Sequence, residues 1–214
     1  MDRVEVLDFS RAFAALTARE YLQLLKDRFG VATLLMGYDN RIGSNRLTAP
    51  ELVSPAGVVG MELIQTEAFG KISSTMVRKS LEQGKVEEAN GMLGYRYGLQ
   101  GVVVAGNRLG RTIGFPTANM KLYEPLKLVP GMGVYVVEVE VLGKKYRGMT
   151  NIGLRPTVGG SSTTIETHIL DFDEDIYGLP LRIAFLRRLR DEVHFPSLAA
   201  LKEQLERDRE ACRA

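Results

Sequence analysis

The chain has 214 residues, of which 45% are hydrophobic and 25% charged, with a formal net charge of +2. This ordinary globular composition excludes a disordered chain, and the near-neutral charge leaves no electrostatic bias toward nucleic acid or an anionic membrane. Cys212 is the only cysteine and lies in the C-terminal tail, so neither an internal disulfide nor a cysteine-rich metal site can form. No apolar run approaches the ~20 residues that a membrane span needs, and "MDRVEVLDFSRAFAAL" lacks the apolar region of a signal peptide. A soluble, reducing, cytoplasmic setting is expected.

In chain order, "VEVLDF" (Val4–Phe9) has the composition of a short strand. "TAREYLQLLKDRFG" follows, with Thr17 and Glu20 at capping-box spacing, Leu22, Leu25 and Phe29 on one helical face, and Gly30 placed to stop the helix. "VATLLMG" (Val31–Gly37) and "VVGMELIQTEAF" (Val58–Phe69) read as buried strands, so that the first part has a β-α-β pattern and a parallel sheet. Two helical pieces come next, "SSTMVRKSLEQG" closed by Gly84 and "KVEEANGMLG" closed by Gly94. After Gly98 strand signals dominate: "LQGVVVAG", "GVYVVEVEVLGKKYRGMTNIG" with a tight turn expected at Gly143-Lys144, "TTIETHILDF" and "LRIAFLRRL". A terminal helix is expected in "SLAALKEQLERDREACRA", where Leu198, Leu201 and Leu205 share a face. Strands closed by one helix read as an antiparallel barrel or sandwich, and the boundary between the two parts falls near Tyr95–Gly98.

The stretch "GNRLGRTIGFPTANM" (Gly106–Met120) is too irregular for a helix or an ordinary strand. Gly106, Gly110 and Gly114 permit positive φ and close backbone approach, so successive N–H groups can converge on phosphate oxygens; Arg108 and Arg111 add charged donors. In an extended segment Thr117 and Asn119 emerge on one face, where a hydroxyl and a carboxamide suit Mg²⁺ and phosphate. The same stretch also reads as a plain hairpin loop. It is not a Walker A loop, because Gly106 to Gly110 is one residue short, Arg111 stands where lysine belongs, and the surroundings are β-rich.

"GRTIGFPTANM" closely resembles the signature of riboflavin kinases, and "GVYVVEV", "YRGMTNIGLRPT", "IETHILDFDEDIYG" and "LRDEVHFPSLAALKEQLERD" follow in that family's order, from about Leu99 to Asp208. The resemblance implies a six-stranded antiparallel Greek-key β-barrel with a C-terminal helix over residues 98–214, ATP-dependent phosphorylation of riboflavin to FMN, and Mg²⁺ bridging the phosphates. It places the general base at Glu166, a flavin-side arginine at Arg190, and a nucleotide-covering loop at "NIGLRPT", whose Arg155 could reach phosphate. With Gly106, Gly110, Arg111, Gly114, Thr117 and Asn119 these residues make up the expected site. His168 shares the face of Glu166 and is expected to support it rather than react; His194, Phe172 and Tyr177 are given no role, the aromatics reading as core.

Residues 1–97 are similar to the back of the Rossmann-like adenylyltransferase domain of bifunctional riboflavin kinase/FMN adenylyltransferases, on "VEVLDF", "LLMGYDNRIGSNR" and "ISSTMVRKSLEQGKVEEANGMLGYRY". That family handles ATP phosphates with a paired-histidine motif, whereas the only histidines here are His168 and His194. An α/β remnant followed by a kinase barrel is therefore expected, with FMN made and the FAD-forming half incomplete. Ser73, Ser74, Thr75 and Arg78 match the second nucleotide motif of that domain but read most simply as a helix cap and a surface arginine. Three other readings are open: a flavin- or nucleotide-binding module without turnover, a fragment of a bifunctional FAD synthetase active in both steps only when full length, and an OB-type nucleic-acid-binding barrel, which the charge and the lack of alternating aromatic and basic residues disfavour.

Overall fold

A computed structural model describes residues 3–67, 72–106, 109–157 and 160–213, and the chain divides into two compact units, Met1–Lys71 and Ile72–Ala214. In the first unit a short helix α1 (Arg11–Ala14) precedes α2 (Ala18–Phe29). Helix α2 starts at the expected capping box: the Thr17 side chain accepts from the Glu20 N–H and the Glu20 carboxylate accepts from the Thr17 N–H, while Gly30 ends the helix in the left-handed region. Then come β1 (Thr33–Met36), α3 (Ala49–Val58) and β2 (Glu62–Gln65), with β1 and β2 paired in parallel as the β-α-β pattern implies. Leu22, Met36, Leu52 and Ala56 form the core of this unit.

Two expectations fail here. Val4–Phe9 pairs with no strand among the described residues and leaves Val4, Val6 and Phe9 71–88% exposed, because a short strand without a partner satisfies neither its backbone nor its apolar face. The strand expected from Val58 begins only at Glu62, since Val58 closes α3, whose capping box at Thr48 and Glu51 makes a helix of the preceding residues.

The second unit opens with α4 (Ser74–Glu82), capped by Ser73, whose Oγ accepts from the Met76 N–H, and α5 (Val86–Leu93), closed by left-handed Gly94. The strands are β3 (Gly98–Val104), β4 (Ala118–Leu122), β5 (Gly133–Val141), β6 (Lys144–Thr157), β7 (Gly160–Ile169) and β8 (Pro180–Arg190); a one-turn helix α6 (Leu109–Thr112) lies between β3 and β4, and α7 (Leu198–Arg213) follows β8. Among the described residues these six strands close into a barrel in the order β3-β4-β7-β6-β5-β8, all pairs antiparallel. The non-sequential β4–β7 neighbours make this the Greek-key connection that the family resemblance implied. The β5–β6 turn is Leu142-Gly143, both with positive φ, one residue before the expected pair.

Helices α4 and α5 share the barrel's core through Leu81, Val86 and Ala89, packed with Leu99, Val137, Ile183 and Phe185. Asn90 fastens α5 there, its amide donating to the Phe185 carbonyl at 2.9 Å and its oxygen accepting from the Tyr97 N–H at 2.7 Å. The sequence boundary at residues 97 and 98 thus marks where helices give way to strands, whereas packing groups the helices from Ile72 onward with the strands.

Alternation along β5 explains why "GVYVV" is apolar throughout: Tyr135, Val137 and Val139 fill the barrel, and Val134 and Val136 lie in a second cluster with Met149, Phe115 and Cys212, against which Leu205 of α7 packs. Helix α7 is fastened to the outside of the barrel by polar contacts as well. Arg187 donates to the Ala211 carbonyl, and the Cys212 thiol lies 3.8 Å from the Gly148 carbonyl. Inside the barrel the Thr150 and Thr167 hydroxyls, both fully buried, satisfy each other at 2.8 Å.

Candidate active site

The glycine-rich stretch acquires its shape from close approaches that only glycine allows. A Cβ on Gly110 would stand 2.2 Å from the Phe115 carbonyl oxygen, and the Phe115 N–H returns a hydrogen bond to the Gly110 carbonyl at 2.8 Å. A Cβ on Gly106 would stand 2.2 Å from the amide nitrogen of Asn119, so the Asn119 side chain rests on bare backbone. From Thr117 onward burial alternates: Ala118 and Met120 are buried, and Thr117 and Asn119 are half-buried. Thr117 and Asn119 thus share a level of burial, but Thr117 lines both of the clefts described below and Asn119 neither.

Sheet register brings the other parts in. On β7, Glu166 is paired with Asn119 of β4 on one side and Asn151 of β6 on the other, a row of amide, carboxylate and amide across three strands. The Thr117 hydroxyl stands 3.5 Å from Glu166 Oε2. Two clefts meet at Thr117. The smaller, about 420 Å³, is lined by Arg111, Pro116, Thr117, Ala118, Phe172 and Asp173–Tyr177. The larger, about 590 Å³, holds Gly110, Thr117, Asn151, Glu166, His168, Arg190 and Glu192, with a wall of Ile113, Phe115, Val134, Met149, Leu198, Leu201 and Leu205. The smaller cleft mixes Arg111 and the acidic Asp173, Glu174 and Asp175 with apolar residues, whereas the larger has a long apolar wall to which α7 contributes Leu198, Leu201 and Leu205, so the two suit chemically different ligands.

Arg190 is oriented before any ligand arrives. Its Nε and Nη2 donate to the Asp208 carboxylate at 3.0 and 2.7 Å, and its guanidinium lies 5.7 Å from the Phe195 ring centroid. Asp208, buried on α7, also accepts from the Gln204 amide at 2.8 Å. His168 is buried, its Nδ1 2.8 Å from the Pro116 carbonyl and its ring 5.2 Å from that of Phe115. Burial lowers the His168 pKa, with the nearby Arg209 acting in the same direction, against the hydrogen bond to Pro116 and the charge of Asp171.

Not every expected residue converges. Gly114 turns through positive φ but lines a separate groove with Asp171, Arg209 and Arg213. Gly106 and Asn119, whose side chain rests on it, line neither of the two clefts. The Arg155 side chain and Arg108 lie outside the described residues; the Arg155 backbone continues β6 opposite Ser162. Phe172 is half-buried against the core as expected, but Tyr177 is 39% exposed at the edge of the smaller cleft, and His194, exposed, lines the larger one.

Asn151 and Glu192 escaped the sequence reading. The Asn151 amide reaches Glu192 Oε1 at 3.5 Å, and that carboxylate covers Gly153, where a Cβ would come within 2.2 Å of it. No spacing rule predicts this, because β6–β7 register and the course of the chain after β8 create it. Among the described residues no group of three histidine, cysteine or acidic side chains converges as a metal cage.

Comparison with known proteins adds the following. A family profile described as riboflavin kinase matches residues 93–214, and one described as FAD synthetase matches residues 1–80. The bifunctional riboflavin kinase/FMN adenylyltransferase of Escherichia coli strain K12 is 40% identical over 215 residues, an alignment covering 97% of this chain and 68% of that protein. The Bacillus subtilis enzyme of the same name is 36% identical, covering 96% and 67%. A crystal structure described as a macrolide-efflux protein from Streptococcus pneumoniae superposes with a TM-score of 0.87 at 39% identity, covering 97% of this chain and 68% of that one. In the present chain no helix among the described residues is long and apolar enough to cross a membrane.

Proposed function

The chain belongs to the riboflavin kinase family, and on that premise we propose that it transfers the γ-phosphoryl group of ATP to the ribityl 5′-hydroxyl of riboflavin, yielding FMN and ADP. The observation that carries this reading is the meeting of two unlike clefts at Thr117, with the Glu166 carboxylate 3.5 Å from its hydroxyl. The apolar wall of the larger cleft suits a flat isoalloxazine ring, and Arg190 stands ready to contact the flavin from that side. The smaller cleft, with Arg111, suits the nucleotide.

Glu166 accepts the hydroxyl proton as the ribityl oxygen bonds to the γ-phosphorus; the bond from that phosphorus to the bridging oxygen breaks, and ADP leaves with the electron pair. Glu166 then returns the proton to water. Positioning and charge neutralisation carry most of such a reaction, which suits a site built from sheet register. Thr117 and Asn119 fit Mg²⁺, both being neutral oxygen donors of the kind a hard cation accepts beside phosphate and water. The ion would supply neutralisation of phosphate charge.

In this proposal residues 98–214 carry the kinase and residues 1–97 an incomplete adenylyltransferase part. The setting is cytoplasmic, without nucleic-acid or membrane partners, in keeping with the net charge of +2. Chromatography of products from riboflavin, ATP and Mg²⁺ tests it: FMN accumulates and FAD does not. Ligand binding without FMN would establish a non-catalytic module instead, and FAD made by this 214-residue chain would overturn the reading of the first part.

A further inference from the structure

We propose that His168 is a positioning residue: its ring N–H, held on the Pro116 carbonyl, sets where the Thr117 hydroxyl stands relative to Glu166. Residues 166 and 168 lie two apart on β7 and both line the larger cleft. Each touches the Pro116-Thr117 step, Glu166 at the Thr117 hydroxyl at 3.5 Å and His168 at the Pro116 carbonyl at 2.8 Å. A carbonyl only accepts, so Nδ1 is the protonated ring nitrogen.

The step needs such a hold. Thr117 precedes β4, which begins at Ala118, so it lies outside the ladder pairing of that strand with β7. Proline has no N–H, which leaves the carbonyl as the polar backbone atom of residue 116. The chain before it is closed by the Phe115 N–H bond to the Gly110 carbonyl, and the buried Phe115 ring lies against His168 and under the Arg209 guanidinium, 5.4 Å away. His168 thus spans the gap between the end of the glycine-rich loop and the start of the strand. Burial lowers the His168 pKa, with Arg209 acting the same way and the Pro116 hydrogen bond and Asp171 against it, and the Pro116 carbonyl selects the tautomer with its proton on Nδ1.

This inference rests on the kinase reading, and three variants separate the two. His168→Asn keeps an N–H donor at the position of Nδ1; His168→Gln places its amide near the distal ring nitrogen, and His168→Leu has no donor. Each is assayed for KM and kcat and for binding of a non-hydrolysable ATP analogue with Mg²⁺ by calorimetry. Leu and Gln should weaken analogue binding and raise the ATP KM about tenfold with the riboflavin KM within about twofold, while Asn stays within about threefold of the parent throughout. Three variants indistinguishable from the parent would overturn the inference. So would three impaired alike, failure of all three to fold included, because His168 would then serve packing alone. FMN formation by the parent chain is the separate check on the kinase reading, and analogue binding decides the role of His168 whatever that check returns.

Discussion

Asp208→Ala is the most informative single perturbation, because it removes the partner of a site residue without touching the cleft chemistry. In the parent the carboxylate accepts from Arg190 Nε and Nη2 and from Gln204, with the Asp208 side chain 5% and the Arg190 side chain 19% exposed. Breaking a buried ion pair by deleting one member costs about 3–5 kcal/mol, since the other charge is left stranded. Arg190 retains the Asp191 carbonyl and the Phe195 ring and can turn its guanidinium toward cleft water, so a loss at or below the bottom of that range, about 2–3 kcal/mol, is expected here. At about 2–4 °C per kcal/mol for a chain of this size, the melting temperature falls by about 4–12 °C. The transition to follow by calorimetry is the one that added riboflavin shifts, because the chain has two compact units. In steady-state assays the riboflavin KM should rise about tenfold, equivalent to about 1.4 kcal/mol of lost orientation, and the ATP KM should stay within about twofold. Asp208→Asn, which keeps the volume and an acceptor oxygen, should show about half the stability loss. A melting temperature unchanged in Asp208→Ala would refute the ledger for the pair, and a lowered one with both KM values intact would refute the assignment of Arg190 to the flavin.

Glu166→Gln should keep fold and substrate binding while kcat falls ~10²–10⁴-fold, because glutamine fills the same space and accepts a hydrogen bond but takes no proton. Activity within a few-fold of the parent would refute Glu166 as the base. Burial pushes the Cys212 thiol up to about 11 from its usual 9.0, so the native state retains a proton that the unfolded chain has lost, and stability declines as pH rises from about 9 to about 11. Denaturant titrations of the parent and of Cys212→Ala across that window check it: the parent should lose more stability than the variant, and equal slopes would show that the thiol does not couple to folding.

Much of the local structure is legible in the sequence because its signals act within one turn. The Thr17–Glu20 box, the Ser73 cap and the stops at Gly30 and Gly94 all lie where short-range hydrogen bonds and left-handed φ require them. The same kind of signal stands at Thr48 and Glu51, ahead of the Val58-Val59 pair whose composition suits a strand. The Glu166 assignment came from family resemblance; what residue pattern contributed to the site was the glycine spacing and Thr117.

Where a signal depends on partners, the sequence falls short. "VEVLDF" has strand composition, yet no strand among the described residues pairs with it, since β-propensity expresses a fit to neighbours rather than a preference of the backbone. The helices before Tyr95 look like a continuation of the first part and instead fill the barrel's core through Leu81, Val86 and Ala89, because apolar periodicity says which face is buried but not against what.

What the sequence by itself determined, then, is the residue set and the local shapes that present it: caps, turns, an alternating strand, a flexible loop with donors. The tertiary structure alone decided which of them meet. Asn119, Glu166 and Asn151 form one row only through the register of three strands, and His168 reaches Pro116 across 52 residues. Arg190 is aimed by an aspartate that α7 carries back to the barrel. Such contacts are bought by closing long loops, at an entropy cost repaid by the buried core rather than by the site residues themselves, so no pattern local to those residues encodes them.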